Sequence, residues 1–155
     1  MDQGRQGDKL KIVVDASIVA KWIIPGEKWE RNARALAEDI AYRRVEAHAP
    51  SLILYELASV ISKAIRAGKM NSADGAKALQ AIGSIGLIID DICWDDLSEI
   101  LKIAESTKLT VYDSAYVYLA RKMGCKLLTA DTEVKNKGGS ITEIITFDEF
   151  YSSKT

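Results

Sequence analysis

The chain has 155 residues, 48% of them hydrophobic and 28% charged, with 21 Lys and Arg against 22 Asp and Glu. That length supports one domain with a sizeable core, and the composition excludes disorder as the default state. A net charge of -1 supplies no global field for polyanions or membranes, so any such binding needs a local basic patch or a bound cation.

The longest stretch free of charged and strongly polar residues, 81–89, is about half of the roughly 20 residues a spanning helix needs. Residues 1–9 are polar, carry two glycines, and have no apolar signal core behind them, so they read as a flexible leader. Two cysteines, Cys93 and Cys125, are too few for a secreted disulfide scaffold. Together with the single histidine, His48, they also make a structural zinc site a poor fit. The expectation is a cytoplasmic protein with buried thiols and no membrane segment.

Residues 9–14 form a β-branched apolar run that stops at Asp15, as a buried strand does. Residues 16–24 read as helix, halted by Pro25-Gly26. A second helix spans 29–43, with Ala33, Leu36, Ala37, Ile40 and Ala41 on one face. Residues 45–49 read as a short strand before Pro50. From 51 to 67, Ile53, Leu57, Val60, Ile61 and Ala64 keep a helical period, closed by Gly68. Ser72 is the expected N-cap of a helix to about Ile85. Residues 87–93 read as strand, 95–106 as helix, and 110–123 as helix ended by Gly124. Residues 126–129 and 143–147 read as the last strands. Alternating strands and long helices imply right-handed crossovers and a mostly parallel sheet. The expected fold class is α/β, a single three-layer α/β/α domain with a mostly parallel central sheet over 10–150 and a tail over 151–155.

Motifs that would carry other chemistries are missing. Gly68-Lys69 lacks the flanking residues of a phosphate-binding P-loop. No Gly-x-Gly-x-x-Gly follows the first strand, and no Gly-x-Ser-x-Gly elbow occurs. His48 would be the sole imidazole for any nucleophile, and an ordinary structural or surface role suits it better.

Carboxylates are the informative feature. Ligands of a parallel sheet collect outside the carboxyl ends of its strands. Asp15 closes Ile12-Val13-Val14, and Asp131 closes Leu127-Leu128-Thr129-Ala130. Glu56 and Asp113 lie near helix beginnings, each on the border of its helix's apolar stripe, Glu56 about 100° from Leu57. Each has a local alternative. Asp15 and Asp131 serve equally as helix caps, Asp113 has capping-box spacing from Thr110, and Glu56 suits a first helical turn. Capping alone does not explain why all four sit inside apolar stretches disposed toward one edge. If they converge, their mutual repulsion needs a compensator, and an all-oxygen donor set selects Mg²⁺ or Mn²⁺. Such ions suit in-line displacement at phosphorus, which makes the chain a candidate metal-dependent phosphodiesterase.

On Val14-Asp15-Ala16-Ser17, Tyr55-Glu56-Leu57-Ala58, Tyr112-Asp113-Ser114-Ala115-Tyr116 and Leu128-Thr129-Ala130-Asp131, the chain resembles the PIN-domain nucleases. Within them it is most similar to the VapC-type toxin ribonucleases of toxin–antitoxin pairs, from about residue 12 to 147. The resemblance implies that Asp15, Glu56, Asp113 and Asp131 bind Mg²⁺ or Mn²⁺. It implies further that Ser17 and Thr129 orient those carboxylates or their waters, with Glu133 either an outer acid or a surface residue. It also implies cleavage of single-stranded RNA by metal-activated water, a homodimer, and inhibition by a cognate antitoxin whose tail fills the acidic groove.

RNA phosphates draw affinity from local cations. Lys63, Arg66 and Lys69 recur at spacings of three, with Lys63 within about 20° of Glu56 around the helix. Arg43-Arg44 and Arg121-Lys122 are further candidates, a solvated face being the alternative for all of them. Lys21, Lys63 and Lys126 are the cations able to approach the acids in space. Trp22, Trp29 and Ile23-Ile24 form either an apolar groove for an antitoxin helix or part of the core. The rival function is a non-hydrolytic acidic-pocket module, such as a receiver-like phosphoacceptor or a protein-binding domain. A receiver wants paired acids beside the first strand, where only Asp8 precedes it, and a dehalogenase-type phosphatase wants an Asp where Ser17 stands.

Overall fold

A computed structural model describes residues 9–24 and 29–152. The leader before Lys9, the Pro25-Gly26 stop and residues 153–155 of the expected tail lie outside the described residues. Five strands form one parallel sheet in the order β3-β2-β1-β4-β5: β1 Leu10–Val14, β2 Val45–Pro50, β3 Ile88–Asp90, β4 Lys126–Thr129 and β5 Ile144–Thr146. Helices cover it as three α/β/α layers. They are α1 Ala16–Val19, α2 Glu30–Ala41, α3 Leu52–Arg66, α4 Ser72–Gly83, α5 Trp94–Thr107, α6 Val111–Met123, α7 Thr132–Gly138 and α8 Phe147–Ser152. No helix among the described residues is long and apolar enough to cross a membrane.

The central strands need cover on both faces, and their sequences supply it: Ile12, Val13, Val14, Leu127 and Leu128 are all fully buried. The helix closing over them, α6, is buried without a break from Ser114 to Ala120. Successive strands leave β1 toward β2 on one side and toward β4 on the other, so the crossovers diverge at the β1–β4 boundary. That boundary is where an open α/β sheet opens a crevice beyond its strand ends.

Several local expectations change. The helix after Asp15 is only one turn, Ala16–Val19, and tightens into a 3₁₀ turn over Ala20–Trp22. Asn71, not Ser72, caps α4, its side chain accepting from the Asp74 N–H at 2.8 Å. The third strand ends at Asp90, and Cys93 stands exposed at the start of α5, so the expectation of two buried thiols fails there. Phe147 begins a helix instead of ending a strand, and Tyr151 and Ser152 close that helix. Helix α7 is implied by the sequence only through the alternative of Asp131 as a helix cap, with no range. It follows Asp131 directly and packs on β4, β5 and α6. His48 is buried on β2, with Nδ1 2.7 Å from Asp90 and Nε2 2.7 Å from Glu46, a structural role.

The reassigned cap is testable. Asn71→Ala is expected to cost about 1 kcal/mol in urea unfolding, the usual value of a lost side-chain cap, and Ser72→Ala close to nothing. The opposite order would return the cap to Ser72.

Candidate functional site

Asp15 follows the last residue of β1 and is 7% exposed. Its N–H donates to the Leu128 carbonyl at 3.2 Å, which fixes the strand end against β4. Both carboxylate oxygens are engaged. Oδ1 accepts from the Ser17 N–H at 3.0 Å and from the Ser17 hydroxyl, and Oδ2 accepts from the Thr129 hydroxyl. Ser17 Oγ in turn accepts from the Ala130 N–H, and Thr129 Oγ1 from the Asp131 N–H, each at 3.0 Å. Two hydroxyls thus tie the end of β1 to the turn that carries Asp131. Burial pushes the Asp15 carboxyl up to about 6 despite these donors.

Asp131 is exposed and caps α7, accepting from the Glu133 N–H at 2.9 Å. Asp113 lies in the first turn of α6, its N–H bonded to Thr110 Oγ1 at 3.0 Å. Asp131 therefore does cap its helix, and at Asp113 the cap is the Thr110 side chain. Burial, then the neighbouring Asp131 and Glu133, raise the proton affinity of Asp113, while Lys137 and the Thr110 hydrogen bond lower it. Glu56, half-buried one turn into α3, is raised by burial and by Asp113, and lowered by the hydrogen bond from Tyr116. The structure thus brings Asp15, Glu56, Asp113, Asp131 and Glu133 to one edge.

Two participants go unassigned in the sequence reading. Tyr116, named there in the Tyr112–Tyr116 motif but given no role, donates its hydroxyl to Glu56 Oε1 at 2.8 Å. Its position one turn after Asp113 was the available signal. Lys137 on α7 is the cation that reaches the acids, and it pairs with Glu133. The cations named for that role behave otherwise. Lys21 lies over the Trp29 ring at 4.7 Å, and Lys126 pairs with Glu143 at the start of β4, the far edge. Lys63 lines an open groove of about 270 Å³ with Ser17, Glu56 and Ser59. It has no ion-pair partner among the described residues. Arg66 and Lys69 continue from it on the surface.

Arg43-Arg44 precede β2 and Arg121-Lys122 precede β4, so all four lie at the amino edge of the sheet, away from the acids. Three of them are paired: Arg44 with Asp39, Arg121 with Glu99, and Lys122 with Asp96. As RNA contacts for this site Arg43 and Arg44 are corrected, and Arg121-Lys122 take the preferred alternative of a solvated face. Trp22 and Ile23 line a groove of about 390 Å³ against α2, whereas Trp29 packs on Phe147 and bonds Asp148.

The donor set is all oxygen, three of its carboxyls (Asp15, Glu56 and Asp113) favour the proton more than usual, and hydroxyls orient Asp15 and Glu56. Among the described residues no three acidic, His or Cys side chains are close enough to cage an ion alone. An open set of this kind fits Mg²⁺ or Mn²⁺, which keep several waters and complete their shells with substrate phosphate.

A PIN-domain family model matches residues 12–140. The chain belongs to the PIN-domain family. It is 32% identical over 129 residues to Ribonuclease VapC3 of Pyrobaculum aerophilum, covering 83% of this chain and 95% of that one. Exonuclease VapC9 of the same organism is 28% identical over 138 residues, covering 88% and 93%. A crystallised Pyrobaculum aerophilum protein shares the fold with a TM-score of 0.69 at 23% identity, over 93% of this chain and 94% of that one. Within the family, then, this is a PIN domain of the VapC type.

Burial of Asp15 has a measurable sign. Its native carboxyl binds a proton more readily than an ordinary one at 3.8, so it favours the folded state most below about pH 4. That contribution falls by about 3 kcal/mol as pH rises through 4 to 6 and is then flat. In EDTA at pH 7.5, Asp15→Asn is expected to raise unfolding stability by about 1–3 kcal/mol, less what the altered Ser17 and Thr129 bonds take back. The gain should vanish toward pH 4. A pH-independent difference in urea midpoints would exclude destabilisation by the buried charge.

Proposed function

We propose that this protein is a Mg²⁺- or Mn²⁺-dependent endoribonuclease that hydrolyses single-stranded RNA, the toxin of a toxin–antitoxin pair. The observation that carries the reading is the convergence of Asp15, Glu56, Asp113 and Asp131 from four separate elements on one edge, with hydroxyl and amide partners in place of cations. Membership of the VapC type, whose relatives bear nuclease names, adds to it.

Asp15, Glu56, Asp113 and Asp131 are the residues assigned to hold the metal. When bound, the ion supplies charge for the phosphate oxygens and a more acidic water. Ser17 and Thr129 keep the Asp15 carboxylate in one orientation, which lowers the reorganisation needed on binding. The exposed turn at Asp131 and the groove beside Glu56 give the RNA backbone access. Lys63 stands along that groove with its charge free for a phosphate, and Arg66 and Lys69 extend the track.

The partners follow from the same reading. Exposed Leu54, Tyr55, Trp94, Leu97, Leu101 and Tyr112 give the α3, α5 and α6 surface the apolar character of a homodimer contact. The Trp22 and Ile23 groove is an available seat for the antitoxin, and the setting is cytoplasmic, where RNA and antitoxin meet.

Labelled single-stranded and duplex RNAs, internally and end labelled, test the proposal. Internal cuts that need Mg²⁺ or Mn²⁺ are expected, stopped by EDTA. Asp15→Asn and Asp113→Asn should each reduce them by more than about 100-fold, beyond the range of outer-shell losses. Products released only from an end would make the enzyme an exonuclease. Folded protein that neither cuts RNA nor takes up metal would return the four acids to helix capping.

The dimer is tested separately. Leu101→Glu is expected to convert a dimer to monomer in sedimentation, and a wild type that is already monomeric would remove this part of the proposal.

A further inference from the structure

Tyr116 is 1% exposed, yet its hydroxyl reaches the half-buried carboxylate of Glu56 at 2.8 Å. This is the one side-chain hydrogen bond between α3 and α6 among the described residues. It joins the helix that carries Glu56 to the helix that carries Asp113, one turn from Asp113 itself. Burial and the surrounding carboxylates drive the Tyr116 proton affinity far upward, so the phenol remains a neutral donor across the working pH range.

We propose that Tyr116 is a positioning residue for the metal, holding the Glu56 carboxylate in one orientation on the edge where Asp15 and Asp113 stand, so that it would be available to a divalent cation. This rests on the metal-site reading above. A flexible glutamate on the border of an apolar stripe has three rotatable bonds and solvent within reach. Without a fixed donor it would turn outward, away from its neighbours' charge. The phenol is rigid, anchored by the core on both sides of its helix, and carries no charge, so it fixes one carboxylate oxygen without neutralising it. The other oxygen is left for the ion. Outer-shell partners of metal ligands act in this way, and losing one typically weakens binding 10–100-fold.

Tyr116→Phe removes a single oxygen and keeps the buried ring. In calorimetric titration of the full-length protein with Mn²⁺ and no RNA, it is expected to weaken binding at least about tenfold. Thermal unfolding in EDTA should stay near wild type. Cleavage should need correspondingly more Mn²⁺ for half-maximal rate and recover toward wild type when Mn²⁺ is saturating, whereas Asp113→Asn should not recover. A merely structural hydroxyl would lower thermal stability and leave the Mn²⁺ titration unchanged. Folded Tyr116→Phe with wild-type Mn²⁺ affinity would overturn the proposal. A wild type that takes up no Mn²⁺ would overturn the metal reading and this proposal with it.

Should Tyr116→Phe fail to fold, 3-fluorotyrosine-labelled wild type provides the second measurement. The residue 116 resonance is assigned by Tyr→Phe at the other five tyrosines. Titration with Mg²⁺ should shift it, and an unmoved resonance at saturation would overturn the proposal.

Discussion

The β1–β4 boundary carries a carboxylate that the core has nearly closed over, and the layout of the crevice follows from how that charge is accommodated. Asp15 sits where the crossovers part, its backbone bonded to Leu128 and both side-chain oxygens bonded to hydroxyls. An ion pair there would cancel the charge, whereas hydroxyls only orient it. Burial raises the proton affinity, the hydroxyl and backbone donors only partly offset it, and the folded protein bears a buried negative centre with no cation paired to it. Ser17 and Thr129 then pass the constraint to Ala130 and Asp131, so the second acidic turn is placed by the first.

Asp96 shows what the same fold does with a carboxylate meant to stay put. It is as little exposed as Asp15, at 5%, but Cys93 bonds it through both side chain and N–H, and Tyr118 and Lys122 add two more donors. These partners, the Cys93 side chain first, hold it well below the usual carboxylate range. Its contribution to stability is present at neutral pH and lost only in strong acid, the opposite sign to Asp15. Asp96 knots α5 to the end of α6, and so anchors at its far end the helix whose first turn presents Asp113. One buried acid makes the scaffold rigid, and the other is left in want of a partner.

Much of this was legible in the sequence because it depends on short-range pattern. Parallel strands buried on both faces write themselves as Ile12-Val13-Val14 and Leu127-Leu128, and an acid that ends such a run marks the carboxyl edge. The order and spacing of Glu56 and Asp113 carried the resemblance. What escaped depends on the third dimension or on an ambiguous signal. Asp131-Thr132-Glu133 is a helix start, but the seven-residue helix it caps has too short a pattern to give a range from sequence, and Lys137 is placed only by the fold. Tyr116 looks like one more apolar position until its hydroxyl is traced across to α3. Arg43-Arg44 and Arg121-Lys122 looked like RNA contacts as basic pairs, and only the direction of β2 and β4 shows that they face the other way. The cap at Asn71 went to its neighbour because Asn and Ser are nearly equal in that role.

The choice of partners around the acids bears on function more than their number does. A crevice whose carboxylates were matched by lysines or arginines would gain little from a divalent ion, because binding would first have to break those pairs. Here Asp15 leans on Ser17 and Thr129, and Glu56 on Tyr116, and none of these donors brings a charge. The one cation felt by Asp113, Lys137, is engaged by Glu133 on the same short helix. Lys63 lines the groove beside Glu56 and has no ion-pair partner among the described residues. Orientation and neutralisation are thus assigned to different partners: the protein supplies the first permanently, and leaves the second to something that exchanges with solvent. Under the proposed nuclease reading that division has a use, since a fixed cation would hold the acids closed while an exchangeable one would couple charge relief to the arrival of substrate.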